Sequence, residues 1–349
     1  MNTKIGSLIV NFACLACLSV YACAEGNQAT SDQNGTGNQS VQTQTTGSGH
    51  GMVMIIRQNG DYNTATQNQN NDISTTAEIY QYYGNNNADQ IQLDCQNNHA
   101  YIYQGYYNGS WYYASYNCNA FQEQSSGHDN TARIYQYPSN DSNAGQWQNL
   151  GHNNSATIDQ IYTNGASASQ WQDSSDTTSS VLYIMQYYQN HEALQHQNMG
   201  STGDVAYIEQ FSYNGGACFA DQTFINTANI HTNILQYAGN ALGEKMHADQ
   251  TFEDATSCTA FIYQNGNQLD GLNWATQDIH GYGNSATIYQ YGSNYNGISA
   301  LQIQYGDQNT AYITQTGINN IADQEQYNFH DSATTLQNGN ANNSSIFQQ

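Results

Sequence analysis

The sequence is dominated by one repeat, which recurs thirteen times along the chain. Each copy has an apolar residue, Gln two positions later, often Gly four positions later, then Ala and two further alternate positions that hold Gln or an apolar residue. A repeat of this length indicates a solenoid or a propeller, because each copy can bury its apolar face only against its neighbours. Successive copies are 22 to 32 residues apart, and their first positions are Ser31, Ile56, Ile79, Ile102, Ile134, Ile158, Ile184, Ile208, Ile234, Ile262, Ile288, Ile313 and Thr335.

Alternation within each copy predicts β-strands. Ala77, Ile79 and Gln81 occupy every second position, and Ala88 and Gln90 do the same after a short bend rich in Gly and Asn. A period of two places alternate side chains on one face of a strand, and Gly and Asn accept the positive φ that tight bends need. The sequence therefore predicts an all-β fold, a β-solenoid of about 13 strand–arc–strand coils with cross-β stacking.

The predicted inner face contains glutamine, which is costly to bury unless its amide is hydrogen-bonded. Identical Gln side chains in stacked coils can satisfy one another, each amide donating to the next along the axis. We therefore predict a ladder of inner residues through which copies of the chain would also assemble. The predicted assembly ladder comprises Ile56, Gln58, Ala65, Gln67, Ile79, Gln81, Ala88, Gln90, Ile313, Gln315, Asn320, Ala322, Gln324, Gln326, Gln337, Ile346 and Gln348.

The amino-terminal segment has the pattern of a secretory signal peptide. An apolar run follows Lys4, and small residues precede Ala24, so we predict a signal peptide at 1–24 that is cleaved after Ala24. Lipid attachment at Cys23 is the alternative interpretation. Residues 25–52 are predicted to form a polar leader or export segment that contains one degenerate repeat, and 53–349 the repeat solenoid. The protein is expected outside the cell.

Charge and motifs exclude several functional classes. After cleavage the chain would carry 27 acidic residues against three basic ones, Arg57, Arg133 and Lys245, which gives a net charge of −24. Nucleic acid is an unsuitable partner, because phosphate contacts require Lys and Arg. No nucleophile motif, phosphate-binding Gly loop or metal-ligand spacing is present in the sequence. We expect neither an enzyme nor a protein that uses a cofactor, and no segment after the signal peptide is long and apolar enough to span a membrane.

Four cysteines remain after the predicted cleavage, namely Cys95, Cys118, Cys218 and Cys258. Cys118 and Cys218 fall in equivalent bends four coils apart, and Cys95 and Cys258 fall in the other bend seven coils apart. Coils are spaced about 4.8 Å apart, whereas a disulfide needs Cα atoms within about 7 Å. Free thiols or intermolecular bridges are therefore expected.

Residues on the outer face suggest three further features. Tyrosines such as Tyr80, Tyr103 and Tyr135 would stack in ladders, which either only pack across strands or form a sticky stripe for bundling and adhesion. Asp221 and Asp249 would lie about 4.8 Å apart in adjacent coils, so mild acidification or a divalent cation is expected to speed assembly. The ten histidines form no pair with the spacing of metal ligands. His191 and His196, five residues apart, come nearest to such a pair, and both are expected on the surface.

The two ends of the predicted solenoid lack the features that protect exposed sheet edges. Soluble proteins block such edges with charge, bulges or a covering element. The last predicted strand, 344–349, carries no charged side chain. We therefore expect uncapped ends that can add further strands.

The repeat resembles the curlin repeat, with the spacing Gln-x-Gly-x-x-Asn-x-Ala-x-x-x-Gln. The resemblance implies a homopolymeric curli-like amyloid fibre on the bacterial cell surface, in the biofilm matrix, with a nucleator subunit, an export pore and a chaperone as partners. A non-polymerising β-solenoid adhesin or ice-binding protein is the alternative, as is, more distantly, a polysaccharide-acting solenoid enzyme. The pattern occurs in full at Gln315, Gly317, Asn320, Ala322 and Gln326, and in part at Gln33 and Gln58.

Overall fold

The computed structural model confirms the all-β prediction, since every regular element in the described residues is a β-strand and none is a helix. The chain divides into two compact units, Met1–Thr178 and Ser179–Gln349. Most of the predicted signal peptide, with its cleavage position, lies outside the described residues. The described ranges are 8–11, 26–45, 51–107, 112–113, 115–173, 179–198, 201–212, 216–238, 245–266, 272–292 and 297–349.

The described part of the first unit contains six coils, which we number 1 to 6, each made of a first strand, a bend and a second strand. All first strands form one parallel sheet and all second strands another, which is the β-solenoid predicted from the repeat. The first strands are Gln28–Asn34, Val53–Asn59, Thr76–Gly84, His99–Gln104, Thr131–Gln136 and Ser155–Asn164. The second strands are Gln39–Thr45, Thr64–Asn70, Asn87–Leu93, Asn119–Ser125, Asn143–Asn149 and Ser167–Asp173.

The described part of the second unit contains seven coils of the same kind, numbered 7 to 13, again with one parallel sheet of first strands and one of second strands. Its first strands are Val181–Gln189, Val205–Ser212, His231–Ala238, Thr259–Gly266, Ser285–Gly292, Thr310–Ile318 and Ser332–Asn340. Its second strands are Glu192–Asn198, Ala217–Ile225, Lys245–Thr256, Leu272–Tyr282, Ser299–Gln304, Ile321–Gln326 and Asn343–Gln348.

Equivalent repeat positions lie opposite one another in neighbouring strands. In the first unit Ile79 pairs with Ile102 and Gln81 with Gln104. Burial alternates along each strand, with the repeat Ala, Ile and Gln side chains inside and the intervening residues outside. The parallel in-register pairing therefore follows from the period of two, because a shift by one residue would turn every inner side chain outward.

Asparagine and glycine form the bends between strands. The backbone N–H of Asn130 donates to Oδ1 of Asn98 at 2.9 Å, and that of Asn154 donates to Oδ1 of Asn130 at 2.9 Å. Each Asn thus satisfies a backbone group of the next coil that no strand pairing reaches. At Gly60, φ is +139° and an added Cβ would lie 2.0 Å from the carbonyl oxygen of Tyr83, so only glycine fits.

A few short strands are not part of the repeated coils. Tyr106–Tyr107 pairs antiparallel with Tyr112–Tyr113, and Ser115–Tyr116 pairs in parallel with the first strand of coil 3. Leu8–Asn11 pairs antiparallel with Gln39–Thr45, the second strand of coil 1. Because Leu8–Asn11 belongs to the predicted signal peptide, the expectation of an open edge in the cleaved chain stays a prediction.

Coil 1 lies in the segment that the sequence analysis assigned to a polar leader. Gln28–Asn34 pairs in register with Val53–Asn59 of coil 2, so the degenerate repeat forms a complete coil despite the absence of an inner Ile. Apart from the buried Ser40, its inner side chains are only half-buried, since no further coil covers them.

Candidate assembly interface

Three ladders of glutamine side chains connect the coils of the first unit. The first-strand ladder comprises Gln33, Gln58, Gln81, Gln104, Gln136 and Gln160, with Nε2···Oε1 distances of 2.6–3.0 Å. The near ladder of the second strand comprises Gln42, Gln67, Gln90, Gln122, Gln146 and Gln170, at 2.8–2.9 Å. The far ladder, two residues further along each second strand, comprises Gln44, Gln69, Gln92, Gln124, Gln148 and Gln172, at 2.6–3.3 Å.

Most ladder amides of the first unit also bond across the core. The Nε2 of Gln90 donates to the carbonyl oxygen of Glu78 at 3.0 Å, and that of Gln81 donates to the carbonyl oxygen of Thr64 at 2.9 Å. One N–H therefore bonds along the axis and the other bonds to the opposite wall. This arrangement removes the cost of burying the amide, because both donors are satisfied.

The second unit keeps the first-strand and near ladders but not the far ladder. Its first-strand ladder runs from Gln186 to Gln337 and its near ladder from Gln195 to Gln324. The far positions hold Gln197, Phe224, Phe252 and Ile279 before Gln304, Gln326 and Gln348 resume.

The predicted ladder residues lie where the sequence placed them, on the inner faces and in the bends. The inner Ile, Ala and Gln residues of coils 2, 3 and 12 are at most 2% exposed. Asn320 lies in a bend, where its Nδ2 donates to the carbonyl oxygen of Gly339 at 3.1 Å and its Oδ1 accepts from the N–H of Asn342 at 3.1 Å. Ile346 and Gln348 of the last strand are half-buried, because no coil covers them.

The two end coils have closely similar inner faces. Coil 1 presents Ala29, Ser31 and Gln33 on its first strand, with Ser40, Gln42 and Gln44 on its second. Coil 13 presents Ala333, Thr335 and Gln337, with Ser344, Ile346 and Gln348. In both coils a hydroxyl replaces the inner Ile and another replaces the Ala of the second strand. Five of the six positions therefore match in chemical type.

The inner hydroxyls of each end coil form a pair across the core. Ser31 Oγ lies 2.7 Å from Ser40 Oγ, and Thr335 Oγ1 lies 3.5 Å from Ser344 Oγ. Hydroxyls tolerate water better than the Ile and Ala that they replace. An end coil can therefore stay solvated in the single chain and still present the ladder pattern to a further coil.

All ladder bonds point in the same direction. In every rung named above, Nε2 of one coil donates to Oε1 of the following coil. Among the described residues, no earlier coil donates to Oε1 of Gln33, and no later coil accepts from Nε2 of Gln337. One end thus presents acceptors and the other donors.

The four cysteines are free and buried, as expected for thiols that cannot reach one another. Burial raises the pKa of Cys95 and of Cys118 to about 12. Such thiols stay protonated and weakly nucleophilic at neutral pH. Their burial argues against the intermolecular bridges that the sequence left open.

Aromatic rings stack on the outer face of the first strands. Tyr80 and Tyr103 lie 4.8 Å apart between ring centroids, and Tyr103 and Tyr135 lie 5.2 Å apart. In the second unit Phe211 lies between Tyr187 and Tyr237 at 4.8 and 4.9 Å. The predicted tyrosine ladders are therefore present within each unit, and their use for bundling stays a prediction.

The paired aspartates also lie where the repeat placed them. Asp221 pairs with Asp249 in the register of coils 8 and 9. Burial, followed by the charge of Asp249, raises the pKa of Asp221 above its ordinary value. The imidazole Nε2 of His247 lies 2.8 Å from Oδ2 of Asp249, so a histidine side chain lies beside the pair.

The expectation of surface placement is wrong for His191. Its side chain is 1% exposed, and its Nε2 lies 2.7 Å from the carbonyl oxygen of Tyr187. Burial lowers the pKa of His191 to about 4, so the ring is neutral in the folded protein at neutral pH. A period of two describes strands but does not say which bend residues turn inward, and His191 occupies a bend.

Other kinds of site are not evident in the described ranges. No group of three or more His, Cys, Asp or Glu side chains is arranged there to hold a metal ion. Nor do those ranges include a helix long and apolar enough to cross a membrane. In comparisons with known proteins, no family model matches the sequence and no curated protein is significantly similar to it.

Proposed function

We propose that the protein is a secreted structural subunit of a curli-like functional amyloid fibre, in which chains add end to end. The observation that carries this proposal is the match between the inner faces of coils 1 and 13. Stacked on the next chain, Thr335 would meet Ser31, and Gln337 would meet Gln33. The stacking would continue the parallel in-register pairing found inside each unit.

The direction of the ladder bonds selects the mode of addition. Donors of coil 13 face acceptors of coil 1 only when chains stack head to tail, because two like ends would oppose acceptor to acceptor or donor to donor. A head-to-tail contact uses two different surfaces and does not close a ring unless a rotation brings the ends together. Repeated addition therefore gives a filament.

Processing would make the amino-terminal end available. Leu8–Asn11 covers the second strand of coil 1, and it belongs to the predicted signal peptide at 1–24. Cleavage after Ala24 would remove this strand and leave the edge of Gln39–Thr45 unpaired. A chain could then join a fibre at this end only after its signal peptide has been removed during export. The nucleator, export pore and chaperone implied by the curlin resemblance belong to the same proposal.

The test uses residues 25–349, diluted from denaturant, with Ile346→Lys as the variant. Wild type should form filaments with a meridional fibre-diffraction reflection at about 4.8 Å. Ile346→Lys should slow elongation at least about tenfold, because docking would bury an unpaired ammonium group on the inner face. Seeded growth followed by thioflavin fluorescence measures both rates.

The matched control is Phe347→Lys, which places the same charge on the outer face of the same strand, where Phe347 is 56% exposed. Growth of this control should stay close to that of wild type. Equal growth of Ile346→Lys and wild type would rule out end-to-end addition. A stable wild-type monomer with strand circular dichroism and no filaments would instead favour the non-polymerising adhesin.

A further inference from the structure

A groove lies on the outer face of the second-strand sheet of the first unit, across coils 3 to 6. Its volume is about 320 Å³, and residues from four successive second strands line it. We call it the Trp147 groove and define it by Asp89, Asn119, Phe121, Asn143, Gly145 and Trp147. At a strand spacing of about 4.8 Å, its floor extends roughly 15 Å along the axis.

A glycine, Gly145, makes room for the aromatic wall of the groove. Gly145 occupies the position that holds Asp89 in coil 3 and Phe121 in coil 4. An added Cβ at Gly145 would lie 2.6 Å from Cη2 of Trp147, so the indole lies across the space that a side chain would fill. The absence of a side chain at this position therefore fixes where the ring lies.

Neighbouring rings hold this wall in place. The ring of Trp147 stacks on Trp171 with centroids 4.7 Å apart and an interplanar angle of 5°. On its other side lies Phe121, with centroids 5.3 Å apart. Stacked rings lose little further conformational freedom when a ligand binds, so the wall is pre-organised.

A row of amides forms the opposite side of the groove. Asn87, Asn119 and Asn143 occupy equivalent positions in successive strands, and Nδ2 of Asn119 donates to Oδ1 of Asn143 at 2.9 Å. An amide has two donors and an acceptor with two lone pairs, so this row offers both kinds of partner to a ligand. The carboxyl group of Asp89 adds an acceptor at one end.

These surroundings narrow the chemistry of a ligand. No Lys or Arg lines the groove, so an anionic ligand would meet only Asp89 and the negative net charge of the chain. A purely apolar ligand would bury the amides without partners. An extended peptide would find no free strand edge, because the backbone groups of the floor already pair with neighbouring strands.

We infer that the Trp147 groove binds a neutral, hydroxyl-rich polysaccharide chain against the Trp147 and Phe121 rings. Sugar hydroxyls both donate and accept, as the asparagine row does, and the C–H groups of a sugar pack against aromatic side chains, here those whose ring faces are turned toward neighbouring rings. The bound chain runs along the solenoid axis, across the four second strands that line the groove. The inference does not depend on fibre formation, because every lining residue belongs to the first unit of one chain.

The test titrates soluble residues 25–349, kept below the concentration at which filaments form, with cellohexaose and with chitohexaose. An alginate oligosaccharide of similar length serves as the anionic comparison. Intrinsic tryptophan fluorescence and isothermal calorimetry report binding, and retention on insoluble cellulose or chitin gives a second measurement. Wild type should bind at least one neutral oligosaccharide and bind alginate at least about tenfold more weakly.

Two variants locate the site. Trp147→Ala should weaken binding about tenfold or more, because it removes the aromatic wall. Asn143→Ala leaves the wall intact and should weaken binding severalfold through the lost amide. Trp274→Ala is the matched control, since Trp274 is 41% exposed on the outer face of the second unit, and its binding should equal that of wild type.

Three outcomes would overturn the inference. One is an unchanged affinity of Trp147→Ala together with Asn143→Ala. The second is alginate binding as tight as that of the neutral oligosaccharides, and the third is no binding of any of these probes. Because filament growth is measured separately, failure here leaves the proposed fibre subunit intact, and the reverse also holds.

Discussion

The far ladder differs between the two units, and the difference shows two ways to fill the same position. In the first unit six glutamines continue without a break, each bonded to the next. In the second unit Phe224, Phe252 and Ile279 take three consecutive positions, and the two phenyl rings stack with centroids 5.3 Å apart. One unit is stabilised there by hydrogen bonds and the other by apolar packing.

The apolar segment changes its surroundings as well. Leu182, Ile230 and Cys258 pack with the two phenylalanines in one buried cluster. Where the ladder resumes, Oε1 of Gln304 has no hydrogen-bond partner among the described residues. The interrupted far ladder of the second unit therefore leaves one Oε1 acceptor unsatisfied where the glutamines resume. The continuous far ladder of the first unit leaves no such acceptor between its two ends. Phe224, Phe252 and Ile279 themselves stay in register, but the second strands of coils 9 and 10 shift register just beyond them, between Glu253 and Ala255.

The largest effect is expected for Phe252→Ala in the apolar segment. The substitution leaves a cavity beside Phe224 and should lower the free energy of unfolding by about 3–5 kcal/mol. Urea unfolding of the soluble chain, with hydrogen exchange resolved by peptide, measures the loss and should locate it in the second unit. Phe329→Ala, at a side chain that is 65% exposed, is the control and should change little.

Gln124→Leu tests the hydrogen-bonded solution at the equivalent position of the first unit. Leucine fits the volume but leaves Nε2 of Gln92 and Oε1 of Gln148 without their partners. We expect a loss of about 2–4 kcal/mol in the free energy of unfolding, because two buried polar groups become unsatisfied. The outer-face control Glu123→Leu should cost little. A neutral Gln124→Leu would show that packing alone stabilises the ladder.

Buried carboxyl groups give a third comparison between the units. Oδ2 of Asp204 in the second unit accepts from the Thr227 hydroxyl at 2.6 Å and from Nε2 of Gln197 at 3.4 Å, and its Oδ1 accepts from the N–H of Ile230 at 2.9 Å. Asp72 of the first unit accepts from the N–H of Cys95 at 2.7 Å, and its Oδ2 has no hydrogen-bond partner. Burial raises the pKa of Asp72 from 3.8 to about 7.

Asp72→Asn should therefore stabilise the protein at pH 8. A raised folded-state pKa favours the protonated form, so the contribution of Asp72 is full below pH 3.8 and is lost as the pH rises to about 7. Relative to wild type, the Asp72→Asn variant should gain about 1–3 kcal/mol in the free energy of unfolding at pH 8 and nothing at pH 3. Asp204→Asn is the matched control, and it should gain less because it disturbs satisfied bonds. A gain that does not depend on pH would contradict this account.

The smallest effect is expected for Ile279→Gln, which extends the ladder into the apolar segment. Its Nε2 can donate to the unsatisfied Oε1 of Gln304, whereas its own Oε1 would face Phe252. The stabilisation from the new hydrogen bond and the cost of the unpaired buried oxygen are of similar size. The free energy of unfolding should therefore change by less than about 1 kcal/mol. A loss comparable to that of Phe252→Ala would mean that the apolar segment tolerates no polar group.

The arrangement of the strands could be predicted because the alternation and spacing of the repeat determine which side chains face inward and which residues lie opposite one another. Ala, Ile and Gln at alternate positions place Ile79 and Gln81 inside, and identical spacing brings Gln81 opposite Gln104. The seven coils of the second unit follow the same rule even where the bends differ in length.

The features that the sequence did not predict depend on bends and on contacts between coils. His191 is buried because its bend turns inward, which no periodicity records. The Trp147 groove depends on Gly145 lying between Phe121 and Ser169 in neighbouring strands, and this becomes visible only when the second strands are aligned. The groove follows from aligning the outer positions of the second strands, and the apolar segment follows from aligning their far inner positions.

The common direction of the glutamine bonds has an electrical consequence. Amide dipoles that point the same way along an axis add together, as they do in an α-helix, and each polarises the next. In the first unit the face that presents Oε1 of Gln33 thus carries partial negative charge, and in the second unit the face that presents Nε2 of Gln337 carries partial positive charge. In the proposed filament these two faces would form the opposite tips, which would attract counter-ions of opposite sign and grow at unequal rates.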